Sequence, residues 1–483
     1  MSHAIDGLKP HALWRHFEAI SQIPRCSKKE DRIRAYLLDL GRSRGWETAT
    51  DAVGNVLMSV PAKEGKAHAP VVVLQAHMDM VCEKNRDTVF DFDTQPIALV
   101  REGDRITADG TSLGADNGIG IAAALAVADS DLAHGPLEIL ITTDEETGLV
   151  GAFGVKPGFF KGRLMINLDS EELGYLYVGC AGGGNNDIYL PLAFEAPDPG
   201  HRALRLDLTG MKGGHSGCDI HQNRGNAIKV LASAVQEVLA RTGGRLASLK
   251  GGEKHNAIPR EAEAVLTVPV EKLSEIDALL ERQTALAAQE LAPGHRLAMK
   301  AVATDLPGRV MTPASARQAL LLIAALPHGP LQMSNDIPGL VQTSTNLAVA
   351  DIRDDELHLQ CSPRSSVDRQ LDTTMAAIRA VALLAGGRSE NEEAYPGWKP
   401  DMASPLLKVA REVAQEVAGK PYVVTAIHAG LECGVIRAMV PGVDAISMGP
   451  DIRNPHSPDE YVSIPSVEEF YRYLEALLLA LAR

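Results

Sequence analysis

The sequence predicts an α/β protein whose mainly parallel, mixed sheet is interrupted by an inserted α+β domain. Three observations carry this: strands and helices alternate near both chain ends, strands in the middle are apolar on one face only, and polar groups cluster where the outer strands end. At 483 residues the chain exceeds what one core usually supports, so two domains are expected.

The outer domain is expected over residues 1–183 and 391–483. Ser27 and Glu30 read as a capping box opening a helix through "DRIRAYLLDLGRSRG". There follow the strand "VVVLQA", the Gly-rich entry "LGADNGIGIAAALAVA" into a helix, and the strands "PLEILITT" and "RLMINLD". The runs of β-branched and aliphatic residues suit strands buried on both faces. From about residue 390 the pattern returns. Ser404-Pro405 open a helix, "YVVTAI" and "DAISMG" are strands, and the closing "YLEALLLALAR" is an amphipathic helix behind a capping box of Ser466 and Glu469.

The inserted domain is expected over residues 184–390. Its strands alternate in and out, as in "ALRLDLTG", "AEAVLTVPV", "RLAMKAVAT" and "ELHLQCS", between long helices such as "NAIKVLASAVQEVLA". Strand, helix and strand recur in similar order, so two similar α+β halves are suspected, although no residue-by-residue alignment supports a duplication.

Composition excludes some partners. The formal charge of −15 disfavours nucleic acid, which needs clustered Lys and Arg. No apolar segment is long enough to cross a membrane, and the N-terminal stretch lacks the pattern of an export signal, so a cytoplasmic protein is expected. The 6 cysteines are scattered without a C-x-x-C pair, and all are expected to be reduced thiols.

The chemistry sits at strand ends. "VVVLQA" runs into His77 and Asp79, "PLEILITT" into Asp144, Glu145 and Glu146, "RLMINL" into Asp169, and "DAISMGPDIRNP" into His456, while Asp116 opens the Gly-rich helix. Singly, each has an ordinary reading: Asp116 as an N-cap, Glu145-Glu146 as a solvated turn, Asp169 as a turn residue, His456 as a loop histidine. Gathered at one sheet edge, so many carboxylates would repel one another unless cations neutralise them. Two histidines with carboxylates and no cysteine ligand suit Zn²⁺, with Mn²⁺ or Co²⁺ as alternatives. One shared Asp gives each of two ions about three protein contacts and leaves open positions.

The strings "QAHMDMVCEKNRDTVFDF", "TSLGADNGIGIAAALAV", "TDEETGLVGAFG", "INLDSEE", "GMKGGHSGCDI", "NAIPR", "HAGLECG" and "MGPDIRNPHSPDE" closely resemble the aminoacyl-histidine dipeptidases, or cytosolic non-specific, carnosinase-like dipeptidases. These belong to the co-catalytic di-zinc metallopeptidases related to carboxypeptidase G. The resemblance implies a catalytic domain bearing two divalent metal ions and an inserted lid. It implies that His77 and Asp169 bind one ion and Glu146 and His456 the other, with Asp116 bridging and a cis peptide after it. It further makes Asp79 the carboxylate that orients His77, and Glu145 the general base acting on a metal-bridging water. A register shifted by one, pairing Asp144 with Glu145, stays open, and Ala76 stands where many relatives have Gly.

For the lid the resemblance implies that His215 stabilises the oxyanion and that Asn256 and Arg364 hold the substrate backbone and carboxylate, although a structural salt bridge remains an alternative for Arg364. Glu432 would receive a free α-amino group, while His428 and Cys433 read as core or supporting residues. The expected activity is hydrolysis of unblocked dipeptides, including Xaa-His and β-alanyl-histidine. Alternatives are a tripeptidase, an N-acyl-amino-acid hydrolase, or a non-catalytic metal- or peptide-binding protein. The expected partner is a small peptide substrate, with neither nucleic acid nor membrane, and the chain would act as a monomer or homodimer.

Overall fold

The computed structural model describes residues 4–63, 65–391 and 394–483. It divides into two compact units: residues up to 180 with 398–426 and 431–483, and residues 181–397 with 427–430. The second unit therefore begins a little before the expected 184 and ends a little after the expected 390. Backbone pairing explains both shifts, because Gly182–Gly183 joins the strand Glu356–Ser365, and Tyr395 pairs with Gly183.

The first unit is built on an 8-stranded sheet in the order Glu47–Thr50, Val56–Val60, Leu137–Thr142, Val72–His77, Leu164–Asn167, Asp444–Ser447, Tyr175–Cys180, Val423–Ile427. The four adjacent strands from Leu137–Thr142 to Asp444–Ser447 run parallel, and antiparallel neighbours flank them. All six residues of Val72–His77, and all six of Leu137–Thr142, are buried, as an apolar run covered on both faces requires. The helix Ala115–Asp129 is buried from Ala115 to Ala128, and its alanines and glycines let the backbone lie close to the sheet. A Cβ on Gly120 would stand 2.6 Å from the Leu168 carbonyl oxygen.

The second unit holds a 10-stranded antiparallel sheet. On one side of a single register pair, Gly251 with Ala350, lie Arg245–Gly251, Ala262–Pro269, His201–Thr209 and Ala298–Thr304; on the other lie Val341–Arg353, Glu356–Ser365, Asn186–Pro191 and Arg388–Asn391. Long helices cover one face, and one apolar cluster containing Leu206, Leu231, Leu266, Leu320, Leu359 and Ile378 runs through both parts.

Three local expectations are overturned. Ser27 and Glu30 do not cap the helix Asp31–Ser43, whose N-terminus has no side-chain cap. Instead Ser27 Oγ donates to Asp79 Oδ2 (2.8 Å) and Glu30 Oε1 accepts from the Asp144 amide (3.0 Å). Ser466 lies inside the helix Ile464–Leu481 rather than at its cap, donating to the Ser463 carbonyl and accepting from the Asp451 amide. Nor are all cysteines free. Cys26 and Cys82 form a disulfide, because Cys26 pairs in parallel with Met80 and brings together residues 56 apart in sequence, a proximity that spacing cannot show. Ser404 does cap Pro405–Ala418, its Oγ accepting from the Leu407 amide at 2.9 Å. The C-terminal helix buries Val467, Phe470, Tyr473, Leu474 and Leu477, and no helix among the described residues is long and apolar enough to cross a membrane.

Candidate metal centre

Four parallel strands end at one edge, so whatever follows each strand shares that edge. His77 closes the first, Thr143–Glu146 follow the second, Asp169 lies just beyond Asn167, and the segment after Ser447 leads to His456. Asp116 enters from the start of its helix, where its backbone is not helical and the Asp116–Asn117 peptide is cis, as the resemblance implied. Asp144 and His456 occupy left-handed backbone positions (φ 49° and 59°), uncommon outside glycine, in the turns that present these groups.

The contacts form a chain. His77 Nε2 lies 3.0 Å from Asp116 Oδ1 and 3.2 Å from Asp169 Oδ1. His456 Nε2 lies 3.1 Å from Asp116 Oδ2 and 3.0 Å from Glu146 Oε2. Asp116 thus turns one oxygen toward each histidine. Asp79, fully buried, sets Oδ1 3.3 Å from His77 Nδ1 and accepts the backbone amides of Glu145 (3.0 Å) and Glu146 (3.2 Å). One carboxylate therefore fixes a histidine and the start of the Glu145-Glu146 turn together. Asp144 points elsewhere, its Oδ1 accepting from Thr147 Oγ1.

Supports that the sequence reading missed surround this chain. Glu460, 2% exposed, spreads its two oxygens over the amides of Leu113, Gly114, Ala115 and Asp116. Arg25, equally buried, donates to the carbonyls of Met78, Asp79 and Gly114. Beneath the strand ends, Asn167 donates to Gln75 Oε1 (2.5 Å), and Gln75 and Thr142 donate to Glu432 Oε2 (2.5 and 2.7 Å). The only sequence signals were that Glu460 closes the string "NPHSPDE" and that Arg25 lies two residues before the presumed cap Ser27.

Electrostatics follow the geometry. Burial disfavours a charged His77, but Asp169, Asp116 and Asp79 outweigh it and raise its pKa well above the ordinary value. Hydrogen bonds to Asp116 and Glu146 lift His456 to about 11. Asp79 is held at about 2, burial being overcome by His77, the Glu145 amide and Ser27. Glu145 is driven well above the usual carboxylate range by burial and by Asp169, Glu146 and Glu432, against the opposing charge of His77, and Asp169 to about 6 by burial, Asp116 and Glu146. Glu171, just beyond Asp169, is pushed to about 8 by burial and by Asp116, Asp169 and Glu460.

The donor set fits divalent cations. Ligand atoms of His77, Asp116 and Asp169 lie within 4.8 Å of one another, as do those of Asp116, Glu146 and His456, so two groups share Asp116. Glu146 Oε1 is buried without a hydrogen-bond partner, an expensive arrangement that a cation would satisfy. Glu145 groups with His77 and Glu146 on the same criterion.

The second unit gathers the other expected residues. His215 pairs with Ala257 in a short two-stranded ladder, and its Nδ1 accepts the amides of Gly217 and Cys218. The neighbouring Asn256 is exposed, and its carbonyl accepts from the Ser216 amide. Arg364, 8% exposed, donates from Nη1 to the Tyr395 hydroxyl (2.8 Å) and leaves Nε without a partner. Burial and the Arg364 charge depress the His215 pKa. Glu432 departs from expectation. It is 0% exposed and bonded into the floor by Gln75 and Thr142, so it is not open to receive an α-amino group. The first turn of a short helix, Glu432–Met439, turns it inward toward the sheet end.

The model of Peptidase family M20/M25/M40 matches residues 73–480. The chain is 40% identical over 479 residues to the cytosol non-specific dipeptidase of Escherichia coli, spanning 98% of both proteins. Aminoacylhistidine dipeptidase from Vibrio alginolyticus superposes with a TM-score of 0.91 at 38% identity, covering 99% of this chain and 98% of that one. Aminopeptidase PepT from Bacillus cereus shares the fold at 16% identity, with a TM-score of 0.57 and coverage of 99% and 100%.

Proposed function

The chain belongs to Peptidase family M20/M25/M40, metal-dependent hydrolases of peptide bonds, and from that premise we propose that it is a dipeptidase acting on unblocked dipeptides, Xaa-His and β-alanyl-histidine among them. The observation that carries the reading is the pair of ligand groups sharing Asp116, with Glu145 beside them.

We assign His77, Asp116 and Asp169 to one cation and Asp116, Glu146 and His456 to a second, most simply Zn²⁺, with Mn²⁺ or Co²⁺ compatible with the same donors. Bound there, such ions polarise the scissile carbonyl and make water a competent nucleophile at neutral pH. Glu145 takes the proton of the attacking water and returns it to the amine as the C–N bond breaks. Burial raises its pKa and the neighbouring carboxylates raise it further, and cations held among those carboxylates would offset that second contribution. Asp79 keeps His77 oriented through Nδ1 and, through the two amides, fixes where the base stands. In the second unit, Arg364 offers a guanidinium fork suited to the substrate carboxylate, and His215 and Asn256 offer polar groups for the oxyanion and backbone. Glu432, being buried, is assigned to the floor and not to substrate.

The cytosolic name of the Escherichia coli relative supports a cytoplasmic setting, and a monomer or homodimer is compatible with all of this. The deciding experiment presents metal-loaded protein with free dipeptides, N-acetylated dipeptides and tripeptides. Free dipeptides should be hydrolysed, with activity lost to a chelator and restored by divalent metal. Turnover confined to blocked substrates or tripeptides would overturn the assignment.

A further inference from the structure

The mechanism above makes no use of Arg25–Ser27, yet this segment straps the strand end on which the mechanism depends. Ser27 Oγ donates to Asp79 Oδ2 (2.8 Å), while Arg25 Nη1 donates to the carbonyls of Met78 (3.1 Å) and Asp79 (2.8 Å). Between the two chain passes, the Met80 amide donates to the Arg25 carbonyl (3.2 Å) and the Ser27 amide to the Met80 carbonyl (3.3 Å). The Cys26–Cys82 disulfide ties the same passes covalently. Beyond Asp79 the path continues to His77 Nδ1 and to the amides of Glu145 and Glu146. Among the described partners of the Asp79 carboxylate, Ser27 comes from outside the ligand-bearing turns, so its hydroxyl sets how the carboxylate is oriented between histidine and amides.

We infer that Arg25–Ser27 is a redox-set strap: Ser27 is a positioning residue acting through Asp79, and the Cys26–Cys82 disulfide holds it in the most active geometry. Both cysteines are half-buried, so the bond is reachable. A dithiol of the kind that keeps cytoplasmic thiols reduced would supply the electrons. Its thiolate attacks one sulfur, the S–S bond breaks, and its second thiol resolves the mixed disulfide. Two electrons and two protons pass to Cys26 and Cys82, and the dithiol leaves oxidised. The other four cysteines form no disulfide, three of them are buried, and all sit outside the strap.

The inference rests on the proposed roles of Asp79 and Glu145, and the test separates the two. Ser27→Ala in the metal-loaded full chain should lower kcat about tenfold, the scale of losses when a ligand's support is removed, with KM and metal content near wild type and Ser27→Thr restoring kcat. Reduction with a water-soluble phosphine, which takes up the oxygen of water as both sulfurs are protonated, should raise titratable thiols by two and lower kcat several-fold, reversibly on reoxidation. The double variant Cys26→Ser/Cys82→Ser should match the reduced protein and ignore the phosphine. If that variant does not fold, the phosphine arm on the wild-type chain still decides. An unchanged kcat in Ser27→Ala, or in protein whose two extra thiols have been titrated, overturns the strap. An active Glu145→Gln variant would instead overturn the catalytic reading beneath it.

Discussion

Glu145 and Glu146 are neighbours in one turn with different surroundings. Glu146 Oε2 meets His456 at 3.0 Å, whereas Glu145 has burial and other carboxylates around it, and Asp79 fixes both through their amides. Replacing Glu145 by Gln keeps shape and removes the proton acceptor, so kcat should fall by at least about 10²-fold while metal content, measured by elemental analysis, stays unchanged. At this scale the sequence showed which side chains collect at the strand ends, but not their individual surroundings. Glu432 lay in a recognisable motif, and the resemblance implied that it receives a free α-amino group. Gln75 and Thr142, distant in sequence, give it buried partners instead. The sequence assigned no role to Glu460 or Arg25, because their partners are backbone groups that any sequence possesses.

Among the elements, the helix Ala115–Asp129 fixes where Asp116 stands. Asn117 Nδ2 donates to the Leu168 carbonyl (2.8 Å), one residue before Asp169, and Gly120 lies against that carbonyl and the Asn117 side chain. Gly120→Ala would gain about 1 kcal/mol in helix propensity, but the added methyl must push the helix from the strand end at a typical overpacking cost of about 1–3 kcal/mol. A lower thermal midpoint and reduced turnover in metal-loaded protein are expected, and wild-type values for both would show slack at this contact. Strands and long helices were legible because period and apolarity are local. The capping boxes failed for the converse reason: Ser27, Glu30 and Ser466 had stronger tertiary partners than their own helix ends.

Over the whole molecule, stability should fall on acidification through histidines kept neutral in the fold. His428, 7% exposed and 2.7 Å from Ser344 Oγ through Nε2, is held near pKa 3 by burial and by the charges of Arg364, His215 and His221. An unfolded histidine titrates near 6.5, so above that pH the group has no effect. As pH falls from about 6.5 toward 3, the unfolded state takes up a proton that the folded state refuses. Stability then drops by about 1.4 kcal/mol per pH unit from this group. Thermal midpoints recorded between pH 7 and 4 should decline less steeply in His428→Gln, and parallel curves for the two proteins would exclude this contribution.

By itself the sequence determined the two alternating α/β stretches, the one-faced strands between them, and the collection of His77, Asp116, Glu146, Asp169 and His456 at one sheet edge. Those features follow from local periodicity and from the rule that parallel strands end together. The resemblance implied Asp116 between the two histidines and Asp79 beside His77, but only the tertiary structure decided that Asp79 also holds two amides, that Glu432 is sealed in the floor, and that Cys26 meets Cys82. Each depends on which distant segments become neighbours, and burial gives a polar group a large energetic stake in that choice, whereas sequence spacing carries no trace of it.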